Sequence, residues 1–239
     1  MFDLPKGFVI QELQKNSPEA NAAIAVAIKH DLPYQFTSAY SFHEDHLVIG
    51  SVEYLREWFK ENKIKEPVIS DYPRELEPWR NRIIKKKLLK DLTEEDKFFK
   101  PVQTKLFEAN TIPDNADPMT LVWVSEYVDW IAEFRVYVID GCIVGIAQYG
   151  DEDDLDYQPY TDTIKEMIAS YSSSPVAYAM DIGITKDGRV DLVEINDAWA
   201  TGRYQWGIGS EDYIMWLWTR WKQIKSDPYV EPVSPGNPS

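Results

Sequence analysis

The chain has 239 residues, 44% of them hydrophobic and 27% charged, enough for one large domain or two small ones around a sizeable core. Forty acids against twenty-five bases leave a formal charge of −15, which repels phosphate backbones and argues against a nucleic-acid partner. No apolar run approaches the ~18 residues that span a bilayer, the start has no basic segment leading into a long apolar stretch, and Cys142 is the only cysteine. The chain therefore reads as soluble and cytoplasmic, without a membrane partner or an internal disulfide. Cys142, in Cys142-Ile143-Val144, reads as a small core residue.

In chain order, Phe8-Val9-Ile10 predicts a short strand. Ser17-Pro18-Glu19 supplies an N-cap, a proline at the first helical position and a first-turn acid, opening a helix that runs to Lys29. Leu47-Val48-Ile49 predicts another strand, followed by a helix over 52–60 whose Glu53, Arg56, Glu57 and Lys60 lie opposite Leu55, Trp58 and Phe59. A strand is expected over 67–70 and a helix over 79–90, with Lys85-Lys86-Lys87 as its solvated face. From Lys97 onward the strands lengthen: 98–102, 121–128, 133–139 and 142–149, the last two joined by the tight turn Asp140-Gly141. An acidic loop over 150–156 leads to a helix over 161–171, then a second hairpin, 176–185 and 190–196, turns at Lys186-Asp187-Gly188. A tryptophan-rich helix over 212–224 is apolar on most faces and reads as core. The tail, 226–239, carries four prolines and reads as a disordered or draped end. The whole is an α+β pattern, with an N-terminal α/β part over 1–75, a main domain over 76–225 and the tail over 226–239.

The second hairpin carries the chemistry. A period of two places Glu194 and Asn196 on one face with Leu192, and Val193 and Ile195 on the other. Folding back at Asp187-Gly188 brings Asp181 beside Glu194. Two carboxylates and a carboxamide are hard oxygen donors, suited to Mg²⁺ or Mn²⁺ together with phosphate oxygens and unsuited to zinc. Buried like charges are costly unless a cation neutralises them. A triphosphate also needs positive charge, and Lys100, at a strand end before Pro101, and Lys105 can project it into a cleft; as isolated residues both also read as snorkelling surface lysines. Glu133 and Arg135 share one face of their strand, which on the residues alone reads equally as a surface ion pair.

Together these clusters, from about Lys97 to Thr201, resemble the ATP-grasp superfamily. The resemblance implies that Lys100, in Phe98-Phe99-Lys100-Pro101, contacts the nucleotide phosphates. It further implies that backbone around Glu126, Tyr127 and Val128 receives adenine and that Glu133 binds the ribose hydroxyls. Asp181, with Glu194-Ile195-Asn196, would hold magnesium. Phe-Phe-Lys-Pro, Glu-Phe-Arg-Val-Tyr-Val and Val-Glu-Ile-Asn-Asp-Ala are similar to a small bacterial and phage group named for one arginine and two lysines, here matched by Arg135, Lys100 and Lys105. For the group's upstream lysine, the nearest candidates are Arg82 and Lys85 to Lys87.

Two departures stand out. No glycine lies between Pro101 and Asn110, where many relatives have a phosphate-covering loop, so Lys105 is expected to take over part of that task. Ala179 stands where many relatives place an arginine, and Arg135 is expected to supply its charge. The resemblance implies an ATP- and Mg²⁺-dependent carboxylate–amine (or carboxylate–thiol) ligase working through an acyl phosphate on small-molecule or peptide substrates. Arg135 and Lys105 would be its catalytic cations, and Arg203 a candidate clamp for a substrate carboxylate. The alternatives are a nucleotide-binding regulator or degenerate relative without ligase activity, a small-molecule kinase, and a non-enzymatic interaction module.

Overall fold

The structure, a computed structural model, describes residues 3–41, 44–103, 105–149, 155–204 and 206–226. The acidic loop at 150–154 and the tail at 227–239 lie outside the described residues.

The fold is α+β and contains three sheets among the described residues. The first is parallel, in the order β2-β1-β3, built from β1 (Gly7–Gln11), β2 (Tyr34–Thr37) and β3 (His46–Ile49). Helix α1 (Pro18–His30) crosses from β1 to β2, with the Ser17 hydroxyl accepting the Ala20 N–H at 3.1 Å as its N-cap. Helix α2 (Val52–Glu61) follows β3 and is capped in the same way by Ser51. The second sheet is antiparallel, β4-β6-β5, from β4 (Ile84–Leu88), β5 (Phe98–Pro101) and β6 (Leu121–Ser125). The third, also antiparallel, runs β10-β9-β7-β8 and comprises β7 (Ala132–Ile139), β8 (Cys142–Tyr149), β9 (Ala177–Ile184) and β10 (Val190–Asp197). Asp140 (φ 47°) and Gly141 (φ 72°) are both left-handed, as a two-residue hairpin turn with the twist of its strands requires. Among the described residues no helix is long and apolar enough to cross a membrane.

Strand alternation gives the third sheet two different faces. Phe134, Val136, Val138, Tyr178, Met180 and Ile182 point to one side and bury against α3 (Thr161–Ser170). The opposite face is divided along its length. At one end Tyr137 and Ala179 pack under α4 (Ser210–Ser226), with Tyr137 edge-on to Trp216 at 5.1 Å. At the other end Glu133, Arg135, Asp181 and Glu194 line up for chemistry. The core under α4 is continuous with that of the first sheet, since Trp221 packs on Trp58 and Phe59. A buried ion pair, Arg220 to Asp197 at 2.6 and 2.8 Å, ties α4 to the end of β10.

Three expectations are corrected, and one strand was not foreseen. Residues 79–90 form no α-helix: Ile84–Leu88 is β4, an edge strand paired with β6, so the lysines alternate along a strand. Lys86 lies over the Trp123 ring at 4.4 Å and Lys87 binds Asp96 at 2.7 Å, and charged side chains protect such an edge from further pairing. Residues 67–70 find no neighbouring strand and remain irregular, with Val68 86% exposed. The unforeseen strand is β2, an exposed edge. Cys142 is exposed at the start of β8, not buried.

Trp216 is fully buried, and its indole N–H donates to the carbonyls of Val138 and Tyr178 at 3.1 Å each, joining α4 to two strands. Trp216→Ala is expected to cost about 3–5 kcal/mol by urea denaturation, whereas Trp216→Phe, which loses the hydrogen bonds and part of the ring, should cost about 1–2 kcal/mol.

Candidate active site

A cavity of about 880 Å³ lies between β5 and β6 on one side and β7, β8 and β10 on the other, within the size range of small-molecule sites. At its floor the strand register sets Arg135, Asp181 and Glu194 side by side across β7, β9 and β10. A β-bulge between Leu192 and Glu194 makes this possible. It corrects the expected alternation: Leu192 is buried in the opposite core, while Glu194 and Asn196 turn to the cavity and Ile195 faces the core. Arg82 holds the bulge, donating to the carbonyls of Leu192 (2.7 Å) and Val193 (2.9 Å), with its guanidinium over the Trp130 and Tyr72 rings at 5.3 and 5.8 Å. Gly183 lets Trp130 lie that close, since a Cβ there would come within 2.4 Å of its ring.

The charges are paired in a chain. Arg135 grips Asp181 through Nε–Oδ1 (2.8 Å) and Nη2–Oδ2 (2.7 Å), the two-pronged geometry available to arginine alone. Asn196 Nδ2 donates to Asp181 Oδ2 (3.0 Å) and Glu194 Oε1 (2.7 Å), bridging the two acids. Lys100 Nζ binds Glu194 and also Asp71 Oδ2 at 2.5 Å. Burial acts against the Lys100 ammonium, but the facing charges of Glu194 and Asp71 outweigh it and raise its pKa. Burial likewise acts against the Glu194 carboxylate, and the Lys100 charge outweighs it and lowers the pKa. Both groups are therefore charged at neutral pH. Arg135 lies over the Tyr204 and Tyr149 rings, themselves stacked at 5.2 Å, and Tyr149 Oη donates to Glu133 at 2.9 Å.

Among the expected site residues, Lys100, Lys105, Tyr127, Val128, Glu133, Arg135, Glu194 and Asn196 line the cavity. Asp181, 1% exposed, is enclosed by Arg135 and Asn196. Glu126 points elsewhere, accepting the Ile83 N–H at 3.1 Å, and with Tyr127 and Val128 follows β6 in an irregular segment instead of extending it. Arg203 is not among the lining residues; its Nη2 donates to the Ile208 carbonyl at 3.0 Å. The glycine-free segment after Lys100 turns through Lys105 (φ 52°) and Asn110 (φ 57°), so two L-residues adopt the conformation that glycine usually supplies. Ala179 pairs with Tyr137, one position along the same face from the Arg135–Asp181 pair, so Arg135 stands a single strand step from Ala179. Asp71, Tyr72, Tyr149 and Tyr204 had no signal in sequence, because nothing local in 69–75 or 201–206 marks them as neighbours of Lys100 or Arg135.

The oxygen-only donors Asp181, Glu194 and Asn196 fit Mg²⁺ or Mn²⁺ chemically. Among the described residues no three His, Cys, Asp or Glu side chains gather as a metal group, so the set needs the carboxamide oxygen of Asn196, which a half-turn of its amide would present. Arg135 and Asn196 between them occupy three of the four lone pairs of Asp181, and Lys100 stands on Glu194. Glu194 would be open to a metal ion only where Lys100 released it.

Residues 79–214, more than half the chain, match the model of an ATP-grasp domain, the second family of the clade named for one arginine and two lysines. The chain belongs to that family. Its fold is also that of D-alanine–D-alanine ligase from Bacillus anthracis, with a TM-score of 0.55 at 13% identity over 93% of this chain and 99% of that one. The same ligase complexed with ATP gives a TM-score of 0.51 at 12% identity, covering 92% and 97%. The ATP-grasp ligase PsnB, complexed with a phosphomimetic variant of its minimal precursor, Mg and ADP, aligns at a TM-score of 0.46 with 13% identity over 84% and 90%. No curated protein matches significantly in sequence.

Arg135→Met leaves Asp181 buried without its counter-charge. It is expected to cost about 3–5 kcal/mol of stability, with most of this recovered in Arg135→Met/Asp181→Leu, as urea denaturation of the single and double variants would measure.

Proposed function

We propose that this protein is an ATP-dependent carboxylate–amine ligase of the ATP-grasp type. The observation that supports it most is the chain of alternating charges, Arg135–Asp181–Asn196–Glu194–Lys100, on the floor of a nucleotide-sized cavity. A D-alanine–D-alanine ligase of the same fold has been solved with ATP bound.

In this reading the adenine sits against the backbone of Glu126 to Val128, at the end of β6, and Glu133, fixed by Tyr149, accepts the ribose hydroxyls. Lys100 and Lys105 neutralise the phosphates. Asp181, Glu194 and Asn196 would hold Mg²⁺, which would supply further neutralisation of phosphate charge. Arg135 already has Nε and Nη2 committed to Asp181. Its Nη1 therefore remains to steady charge on the γ-phosphoryl group, at an angle set by the Tyr149–Tyr204 stack. The substrate carboxylate oxygen attacks the γ-phosphorus in line; the bond to the bridging oxygen breaks and ADP leaves with its electron pair. An amine then adds to the acyl carbon, phosphate departs, and the amine proton passes to a base. The chain needs no nucleophile of its own, consistent with Cys142 lying at a hairpin turn.

Thermal-shift titration with an ATP analogue and Mg²⁺ tests the first half of this reading, and substrate-dependent ADP release with hydroxylamine trapping of the acyl phosphate tests the second. Lys100→Met and Glu194→Gln should each lower ADP release by about 10²–10³-fold. EDTA should abolish it, with recovery on adding Mg²⁺ or Mn²⁺. Unchanged nucleotide binding and turnover in both variants would overturn the assignment.

A further inference from the structure

The edge of a sheet presents unpaired N–H and carbonyl groups that can take up a further strand, and this chain closes several of its edges itself. The β4 edge carries Lys85, Lys86 and Lys87. On β5, Asn110 exchanges two hydrogen bonds with Phe99, N–H to carbonyl and Oδ1 to N–H, both at 2.9 Å. On β10, Arg82 takes the Leu192 and Val193 carbonyls, and the Asp71 carbonyl accepts the Ile195 N–H at 2.8 Å. Strand β2 has none of these devices. Tyr34-Gln35-Phe36-Thr37 contains no charge, proline or bulge, and its first three residues are exposed.

The phase of the β1–β2 ladder decides which groups point outward. Phe8 N–H donates to the Pro33 carbonyl at 3.0 Å, and alternate residues of a parallel strand turn their backbone to the same neighbour, so 33, 35 and 37 serve β1. The N–H and carbonyl groups of Tyr34 and Phe36 therefore point away from the sheet. Their rings, 42% and 40% exposed, share one face and stand edge-on at 5.9 Å.

These four outward groups are symmetric about Gln35. The same strand from a second copy, laid antiparallel on a two-fold axis at Gln35, satisfies all of them: Tyr34 exchanges both bonds with the partner's Phe36, and Phe36 with the partner's Tyr34. Each pairing also sets one exposed aromatic ring directly opposite another, a favourable cross-strand contact. Charge points to the same place. Copies carrying −15 each repel one another, and Leu32 to Ser41 is a stretch without a charged residue through which they can meet. We infer that β2 is a self-association edge, through which two copies join their parallel sheets into one six-stranded sheet. The inference stands apart from the ligase reading, since β2 lines neither the large cavity nor the smaller one of about 280 Å³ beside α2 and α4.

Sedimentation of the full chain over about 1–100 µM tests it. A four-residue contact is smaller than a standard interface, so a dimer should form in the micromolar range, dissociate on dilution and grow no further. Phe36→Lys, which places an edge-protecting charge on β2, should remain monomeric throughout with its melting temperature unchanged. Cross-linking checks the register without relying on affinity. In a Cys142→Ser background, Gln35→Cys lies on the two-fold axis at a closely spaced pair and should yield a disulfide-linked dimer on mild oxidation. Thr37→Cys, on the same face but two residues from the axis, should yield none, because its copies lie too far apart to bridge. A wild type that is monomeric at every concentration overturns the inference and leaves this edge to the strand of a different protein. Undiminished association in Phe36→Lys, or equal cross-linking at positions 35 and 37, overturns it as well.

Discussion

Two carboxylates, Asp181 and Glu194, face each other across β9 and β10 with little water to solvate them, and the surrounding structure is organised by the need to balance that charge. Arg135 is brought to Asp181 by its register on β7, Lys100 reaches Glu194 from a different sheet, and Asn196 bridges the two acids. Each cation is fixed a second time, Lys100 by Asp71 and Arg135 by the faces of Tyr149 and Tyr204. Such pairs add little net stability over an apolar core, because desolvation offsets their attraction, but breaking one is expensive. Their persistence on a cavity floor is therefore better explained by function than by folding.

The same sheet face serves as core and as site. One step along the strands from the charged row, Tyr137 and Ala179 are sealed under Trp216, so the rigid α4 packing holds the register on which the charges depend. The Asp197–Arg220 pair extends this restraint to the residue after Asn196. Arg82 supplies restraint at the other end of the trio by holding the bulge that aims Glu194 into the cavity. It is a guanidinium braced by two aromatic rings, well suited to gripping two carbonyls and less suited to following a phosphate.

Local patterns in the sequence were informative where a residue's neighbours in the chain are also its neighbours in space. Both hairpins, the cap of α1, the tryptophan-rich core helix and the adjacency of Asp181 to Glu194 follow from alternation, turn chemistry and capping, all short-range effects. Short edge elements did not follow. Residues 84–88 and 34–37 are strands only because β6 and β1 offer them an edge, and 67–70 is not one because nothing does. A stretch such as Ile83-Ile84-Lys85-Lys86-Lys87-Leu88 fits either period, and the partner decides.

By itself, the sequence determined the α+β character, the oxygen-donor trio and the order of lysine, arginine and acids that marks the family, since composition and spacing carry those directly. Only the tertiary structure decided which face each residue occupies. The bulge at Val193 turns Leu192 away from Glu194, a reversal that no regular period contains. Only the tertiary structure could bring in Asp71, Tyr72, Arg82, Tyr149 and Tyr204, because pairing across sheets depends on how layers pack and leaves no trace in local spacing.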